Sequence, residues 1–270
     1  NKYIKTIYIY ERMSSPDPTS NDLHVNNKDY IDGNKEAEYL ALINRGAVLL
    51  SRYPLVPQSA NHDCGIACLR MVLRGLDVPQ AETLLAEAME ASDLGESVWT
   101  PDLLRILLHC GLRAQLYSIC LLPNPGYAQL NFYRDKFSSD QQRVARNLDW
   151  ISQIDPQAAV QQSLPLSAVL DHLSARLGPV ICLIDANNTD AARLRSCMHC
   201  NCLSLSSPCC GGGPYQGHYI LLCGYLPEER RLIYRDPMSR ISEYKLMSFK
   251  EFDRVRTAYG TDEDLLFVFG

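Results

Sequence analysis

The chain has 270 residues, a formal net charge of −5 and a charged fraction of 21%, so it lacks a basic excess. This balance argues against nucleic acid or an anionic membrane as a partner, because both recruit clustered Lys and Arg. No apolar run approaches the roughly 20 residues that a membrane-spanning helix needs. The length allows one large domain or two small ones with a sizeable core.

The N-terminal segment differs in composition from the rest of the chain. Residues 1–45 are polar, rich in Asn, Asp, Ser and Lys, and show little apolar periodicity. We predict that residues 1–45 are disordered or loosely attached and that residues 46–270 form the folded domain. Since no secretion signal is recognisable, we expect a cytoplasmic or nuclear protein, and the missing initiator Met is compatible with a fragment.

Apolar periodicity beyond residue 46 predicts helices first and most strands later. An extended segment over 47–58 leads into the first helix. Helices are predicted over 64–74, 80–89, 100–110, 140–154, 164–177 and 248–259. Strands are predicted over 113–122, 180–185, 218–226, 231–237 and 264–270. This order favours an α+β domain in which an N-terminal helical part packs on an antiparallel sheet.

Cys64 occupies the first turn of the first predicted helix, six residues after Gln58. One interpretation is chemical, because the unpaired backbone N–H groups of a helix N-terminus favour a thiolate. The other is packing, because free cysteine is among the most buried residue types. If Cys64 is a nucleophile, the Gln58 side-chain amide is placed to donate to an oxyanion beside the Cys64 N–H.

A cysteine nucleophile also needs an imidazole, and His218 is the best candidate among six histidines. It opens a predicted strand, and Asp236 follows eighteen residues later at the end of the next strand. A hairpin of these strands would place Asp236 where it can orient the imidazole. The order Gln, Cys, His, Asp is that of papain-like cysteine enzymes. The alternative for each residue taken singly is a core or turn role.

Several stretches resemble one eukaryotic family, the guanylyl cyclase domain-containing proteins. They are "DCGIACLRMVLR", "SVWTPDLLRILLHCGLR", "FYRDKF", "YQGHYILLCGY" with the cysteine-rich loop before it, and "SFKEFDRVRTAYGTDEDLLFVF". The resemblance runs from about Tyr53 to the end of the chain. A more distant resemblance is to the peptidase domain of bacteriocin-processing ABC transporters, which implies a papain-like fold.

Two enzyme classes and one binding class follow from these observations. The residues predict a cysteine-peptidase-like hydrolase acting on an unknown peptide or small molecule, with Cys64, His218, Asp236 and Gln58 at the site. The family name implies instead a guanylyl cyclase that converts GTP with Mg or Mn. A third hypothesis is a non-catalytic interaction protein that uses the same cleft.

The cyclase hypothesis lacks the residue patterns that nucleotide cyclases use. Their chemistry needs paired aspartates that hold two metal ions over the triphosphate. Asp185 and Asp190 lie at a polar exit from a predicted strand, where they also fit a solvated surface. The glycines of "CGGGPYQG" follow a cysteine cluster rather than joining a strand to a helix, so they do not predict a phosphate loop.

Five of the eleven cysteines fall within residues 197–210, in a predicted cysteine-rich loop over 197–213. The C-x-x-C step of Cys197 and Cys200 is a common half-site for structural zinc. The resemblance implies that the adjacent pair Cys209 and Cys210 completes the site. His199 and Cys202 are alternative ligands, and a disulfide-prone loop or free thiols are the alternative interpretations.

Overall fold

The computed structural model describes residues 33–270 except 96, 131–133, 135, 201–212 and 242, and only the backbone of 33–35, 129 and 196–200. Residues 1–32 of the segment predicted to be loosely attached lie outside this range. Among the helices of the described residues, none combines the length and the hydropathy that crossing a membrane requires.

The described residues form eight α-helices. The α-helices are α1 (Gly33–Asn44), α2 (Cys64–Gly75), α3 (Ala81–Ala91), α4 (Thr100–His109), α5 (Phe137–Ile154), α6 (Leu166–Ser174), α7 (Asp190–Cys200) and α8 (Phe249–Arg256). Single 3₁₀ turns cover Pro125–Gln129 and Ala186–Asn188. Helix α4 begins as expected for Pro101 at a helix start, and Asp102 accepts a hydrogen bond from the backbone of Trp99.

The strands form one mixed sheet. They are β1 (Val48–Leu49), β2 (Arg113–Ser118), β3 (Ala159–Gln161), β4 (Val180–Asp185), β5 (Gly217–Leu226), β6 (Arg231–Arg235), β7 (Lys245–Ser248) and β8 (Leu265–Phe269). Their order is β3-β2-β8-β4-β5-β6-β7, and β1 pairs with β5. The α+β prediction is therefore confirmed. The predicted wholly antiparallel sheet is not, because the crossover through α5 makes β3 parallel to β2.

The core lies where α2 and α4 pack against the centre of this sheet. All six residues of β4 are buried, which matches its unbroken apolar sequence "VICLID". Ten of the twelve residues of α2 are buried, so its first turn lies against the sheet rather than in solvent. The N-terminus of α2 is thereby brought to the edge where β5 begins and β6 ends.

Residues 33–45, the last part of the segment predicted to be loosely attached, are described by the structure. They form α1 and the following turn, and Leu42 is only 4% exposed. Arg45 makes a two-point ion pair with Glu229 at 2.7 and 2.8 Å. Helix α1 thus packs on the domain that was predicted to begin at residue 46, and that boundary stays a prediction.

Candidate functional site

Cys64 is the first residue of α2, and the turn before it is held by Asp63. The Asp63 carboxylate accepts hydrogen bonds from Ser59 N and Ala60 N at 3.0 Å and from Ser59 Oγ at 2.5 Å. This closes the loop between Gln58 and Cys64 into one fixed turn. Cys64 is 7% exposed, and as the first helical residue its backbone N–H has no acceptor within the helix.

His218 and Asp236 lie together on neighbouring strands. His218 is the second residue of β5, and Asp236 follows the last residue of β6. Because the two strands pair antiparallel, the start of β5 meets the end of β6. The His218 Nε2 atom lies 2.8 Å from Asp236 Oδ1, and both side chains are largely buried.

The thiol of Cys64 lies against the same strand. Its Sγ atom accepts a hydrogen bond from the backbone N–H of Tyr219, the residue after His218, at 3.5 Å. Its interaction with the His218 imidazole contributes to raising the pKa of that ring. Since His218 Nε2 faces Asp236, its Nδ1 atom is the nitrogen available to Cys64. The structure thus brings together Cys64, His218 and Asp236, which lie far apart in sequence.

The electrostatic environment keeps His218 charged. Burial alone would lower the pKa of His218, but hydrogen bonds with Asp236 and Cys64 and their charges raise it to about 9. Burial alone would raise the pKa of Asp236, but its contacts with His218 and Lys245 hold it well below its usual range. At neutral pH the pair is therefore an imidazolium and a carboxylate.

The backbone of Gln58 is hydrogen-bonded to the residue that follows Asp236. Its N–H donates to the carbonyl of Pro237 at 2.8 Å, so the loop before α2 is bound to the residue after Asp236. Its side-chain Nε2 donates to Ala60 O at 2.9 Å, and its Oε1 is buried without a hydrogen-bond partner. One hydrogen of the amide is thus used within the turn, and the other is available to a ligand.

The comparisons with known proteins place the chain in a family. The family model described as "Guanylylate cyclase" matches residues 53–268. A curated protein from Arabidopsis thaliana, "Guanylyl cyclase 1", is 30% identical over 216 residues, which cover 80% of this chain and 74% of that protein. The chain belongs to the guanylylate cyclase family. The family resemblance given by the sequence motifs is confirmed.

The guanylylate cyclase family match includes every residue of the site described above. It begins at Tyr53, five residues before Gln58, and ends in β8. Helix α1 and strand β1 lie before it, although both pack on the matched region.

The two aspartates considered for a cyclase are used in local contacts. Asp185 Oδ1 accepts from the backbone N–H groups of Asn187 and Gln216, each at 3.2 Å. Asp190 begins α7 and pairs with Arg254. Across the described ranges, no group of three or more His, Cys, Asp or Glu side chains is arranged to hold a metal ion.

The predicted zinc ligands fall where side chains are not described. Cys197 and Cys200 belong to the last turn of α7, so the start of the predicted cysteine-rich loop is helical. His199 belongs to the same turn, while Cys202, Cys209 and Cys210 lie outside the described residues. Zinc binding by these residues therefore stays a prediction.

Other cysteines near the site have packing roles. Cys68 lies one helical turn beyond Cys64 and is fully buried, and burial raises its pKa well above that of a free thiol. Cys223 is also fully buried, which raises its pKa to about 12. Thiols in such surroundings are poor nucleophiles. The packing interpretation thus applies to Cys68 and Cys223, whereas the chemical role of Cys64 stays a prediction.

Sequence reasoning missed two residues that contact the site. Lys245 donates to Asp236 Oδ2 at 2.6 Å from β7, a strand that the sequence analysis did not predict. Tyr219 supplies the backbone N–H that reaches Cys64. The signal for Tyr219 was its position directly after His218, but no local pattern marked Lys245.

Proposed function

We propose that the chain is a thiol hydrolase of the cysteine-peptidase type on a papain-like fold. The observation that carries the proposal is that Cys64 Sγ lies against the start of β5, next to His218, whose Nε2 atom is 2.8 Å from Asp236 Oδ1. A helix that bears the thiol, packed on a sheet that bears the imidazole and the carboxylate, is the arrangement that papain-like enzymes use. The substrate class is a peptide or small molecule with an amide or thioester carbonyl.

In the first half-reaction Cys64 Sγ attacks the carbonyl carbon and forms a tetrahedral oxyanion. The backbone N–H of Cys64 and the free amide hydrogen of Gln58 are the candidate donors to that oxygen. His218 gives its proton to the leaving nitrogen or sulfur, and the bond from the carbonyl carbon to that atom breaks. The product is a thioester on Cys64 and a protonated leaving group.

In the second half-reaction water hydrolyses the thioester. His218, now neutral, takes a proton from the water as the oxygen attacks the acyl carbon. The bond between that carbon and Cys64 Sγ breaks, which releases the acid and restores the thiolate and imidazolium. Asp236 stays ionised throughout, and its contribution is to orient the ring and stabilise its charge.

The test is turnover of an acyl substrate panel by the full chain. We expect release of p-nitrophenol or thiol from ester and thioester substrates, loss of turnover in Cys64→Ala, and no effect of a metal chelator. Cys110→Ala is the matched control, because Cys110 is a half-buried free cysteine outside the site. Turnover that persists in Cys64→Ala would contradict the proposal.

A guanylyl cyclase is the second candidate, because the family description and the name of the Arabidopsis relative both point to it. Its test is formation of cyclic GMP from GTP with Mg or Mn, measured by mass spectrometry. A cyclase should lose activity with a chelator and keep it in Cys64→Ala. Absence of turnover in both assays would favour a non-catalytic interaction protein.

A further inference from the structure

The Asp236 carboxylate is held from both sides by donors on different strands. His218 Nε2 contacts Oδ1 at 2.8 Å, and the backbone N–H of Met238 donates to the same oxygen at 2.9 Å. Lys245 Nζ donates to the other oxygen, Oδ2, at 2.6 Å. A carboxylate with charged donors on both oxygens has little freedom to rotate, because charge-assisted hydrogen bonds are short and directional.

Lys245 is itself placed by the fold. It stands opposite Tyr234 in the pairing of β6 with β7, two residues before Asp236 along β6. The preceding residue, Tyr244, donates its backbone N–H to Glu38 of α1 at 2.7 Å. Its ring also lies 3.4 Å below the guanidinium of Arg235. The Lys245 backbone is therefore fixed by neighbours on both sides.

The Lys245 side chain is 41% exposed, whereas that of Asp236 is 13% exposed. Because the Lys245 end of this ion pair is exposed, solvent screening limits what the pair contributes to stability, so a purely stabilising role does not account for the contact well. Lys245 instead binds Oδ2 of Asp236, the carboxylate oxygen that His218 does not contact.

We propose that Lys245 is a positioning residue that keeps the Asp236 carboxylate turned towards His218. This inference rests on the proposed function, in which Asp236 orients the imidazole. Removing Lys245 has two opposite effects on His218. Loss of a nearby positive charge favours the imidazolium, whereas a carboxylate that turns away from the ring disfavours it. A positioning role requires the second effect to be the larger.

The experiment compares Lys245→Met, Lys245→Arg and the control Lys250→Met in the full chain. Lys250 lies on α8, is exposed, and its loss changes the net charge equally. The pKa of His218 is read by NMR titration, with the signal assigned by its loss in His218→Ala. The rate of Cys64 alkylation by iodoacetamide at pH 6 is measured by peptide mapping.

We expect Lys245→Met to lower the pKa of His218 from about 9 and to slow Cys64 alkylation about tenfold. Lys245→Arg should recover most of both, because Arg keeps a charged donor, and Lys250→Met should match the wild type. An unchanged or raised His218 midpoint in Lys245→Met would overturn the inference.

Two further measurements distinguish a failure of this inference from unfolding of a variant and from a failure of the proposed function. Alkylation of Cys68, which is fully buried, reports unfolding of any variant. If Cys68 reacts in Lys245→Met, Lys245→Gln replaces it and carries the same expectation. If His218→Ala leaves Cys64 alkylation unchanged, the proposed function itself fails. If His218→Ala slows it and Lys245→Met has no effect on either readout, only the role of Lys245 fails.

Discussion

The backbone nitrogen of Tyr219 lies 3.5 Å from Sγ of Cys64, so one strand presents both the imidazole and an N–H to the thiol. The Tyr219 hydroxyl lies 2.9 Å from Thr100 Oγ1, at the first residue of α4. Thr100 in turn donates to Asp264, just before β8. The position of Cys64 relative to β5 is thus tied to buried contacts of α4 and of the residue before β8.

The contact between α2 and β5 leaves little room at Gly65. A Cβ atom there would lie 3.1 Å from Leu103 Cδ2 and 3.1 Å from Tyr219 Cδ2. We expect Gly65→Ala to lower the free energy of unfolding by about 1–3 kcal/mol, the usual cost of overpacking, and to slow Cys64 alkylation. Urea unfolding measures the first effect. Gly95→Ala is the control because its Cβ meets nothing within 4 Å, and equal stability of the two variants would contradict the prediction.

His218 should make stability depend on pH on the alkaline side. Its pKa is raised to about 9 in the folded protein, so its contribution is complete below about pH 6.5 and is lost as the pH rises through 9. The contribution is on the order of 3 kcal/mol, at about 1.36 kcal/mol per pKa unit. We expect the stability difference between wild type and His218→Gln to shrink between pH 6 and pH 10. Urea unfolding across this range is the measurement, and a constant difference would be inconsistent with a raised pKa.

Asp264 should oppose stability at alkaline pH for the same thermodynamic reason. It is buried, its Oδ1 has no hydrogen-bond partner, and burial raises its pKa to about 7. The neutral carboxyl is favoured, so stability falls as the pH rises from the ordinary value of 3.8 towards 7 and levels off above it. We expect Asp264→Asn to gain stability relative to wild type between pH 5 and pH 8, measured by thermal unfolding. Asp149→Asn, which removes a carboxylate from an exposed position, is the control, and a stability of Asp264→Asn relative to wild type that does not rise with pH would contradict the prediction.

A buried ion cluster joins α5 to α4. Arg143 Nη1 lies 2.8 Å from Asp140 and Nη2 lies 3.0 Å from Asp102, and all three side chains are at most 7% exposed. We expect Arg143→Met to cost about 3–5 kcal/mol, because it leaves two buried carboxylates without a cation. Arg146→Met, which breaks an exposed pair with Asp93, should cost less than about 1 kcal/mol by denaturant unfolding. Similar losses in both variants would rule out this explanation.

Sequence alone predicted the elements whose signal is local. The apolar face of α2, the Thr-Pro-Asp start of α4 and the continuous apolar run of β4 each lie within one segment. The sequence also predicted that Cys64, His218 and Asp236 would lie close together. Each was placed at the end of a predicted helix or strand, and such ends can meet at one edge of a sheet. Their catalytic roles stay predictions.

The sequence analysis missed elements that are stabilised by residues distant in sequence. Strand β7 has four residues, too few for alternation to show, and it is fixed by pairing with β6. Helix α1 has a polar sequence, and it is held by buried Leu42, by the hydrogen bond of Glu38 with Tyr244, 206 positions later, and by the ion pair of the following Arg45 with Glu229, 184 positions later. The contact of Lys245 with Asp236 could not be predicted for the same reason, because it depends on the pairing of β7 with β6.

The two-residue strand β1 has a practical consequence for work on this protein. Val48 O would lie 2.1 Å from a Cβ atom at Gly224, so β1 fits against β5 only because residue 224 lacks a side chain. A fragment trimmed to the family match at Tyr53 would lose β1 together with α1 and expose the β5 backbone around Gly224. Expression boundaries should therefore be set before Gly33.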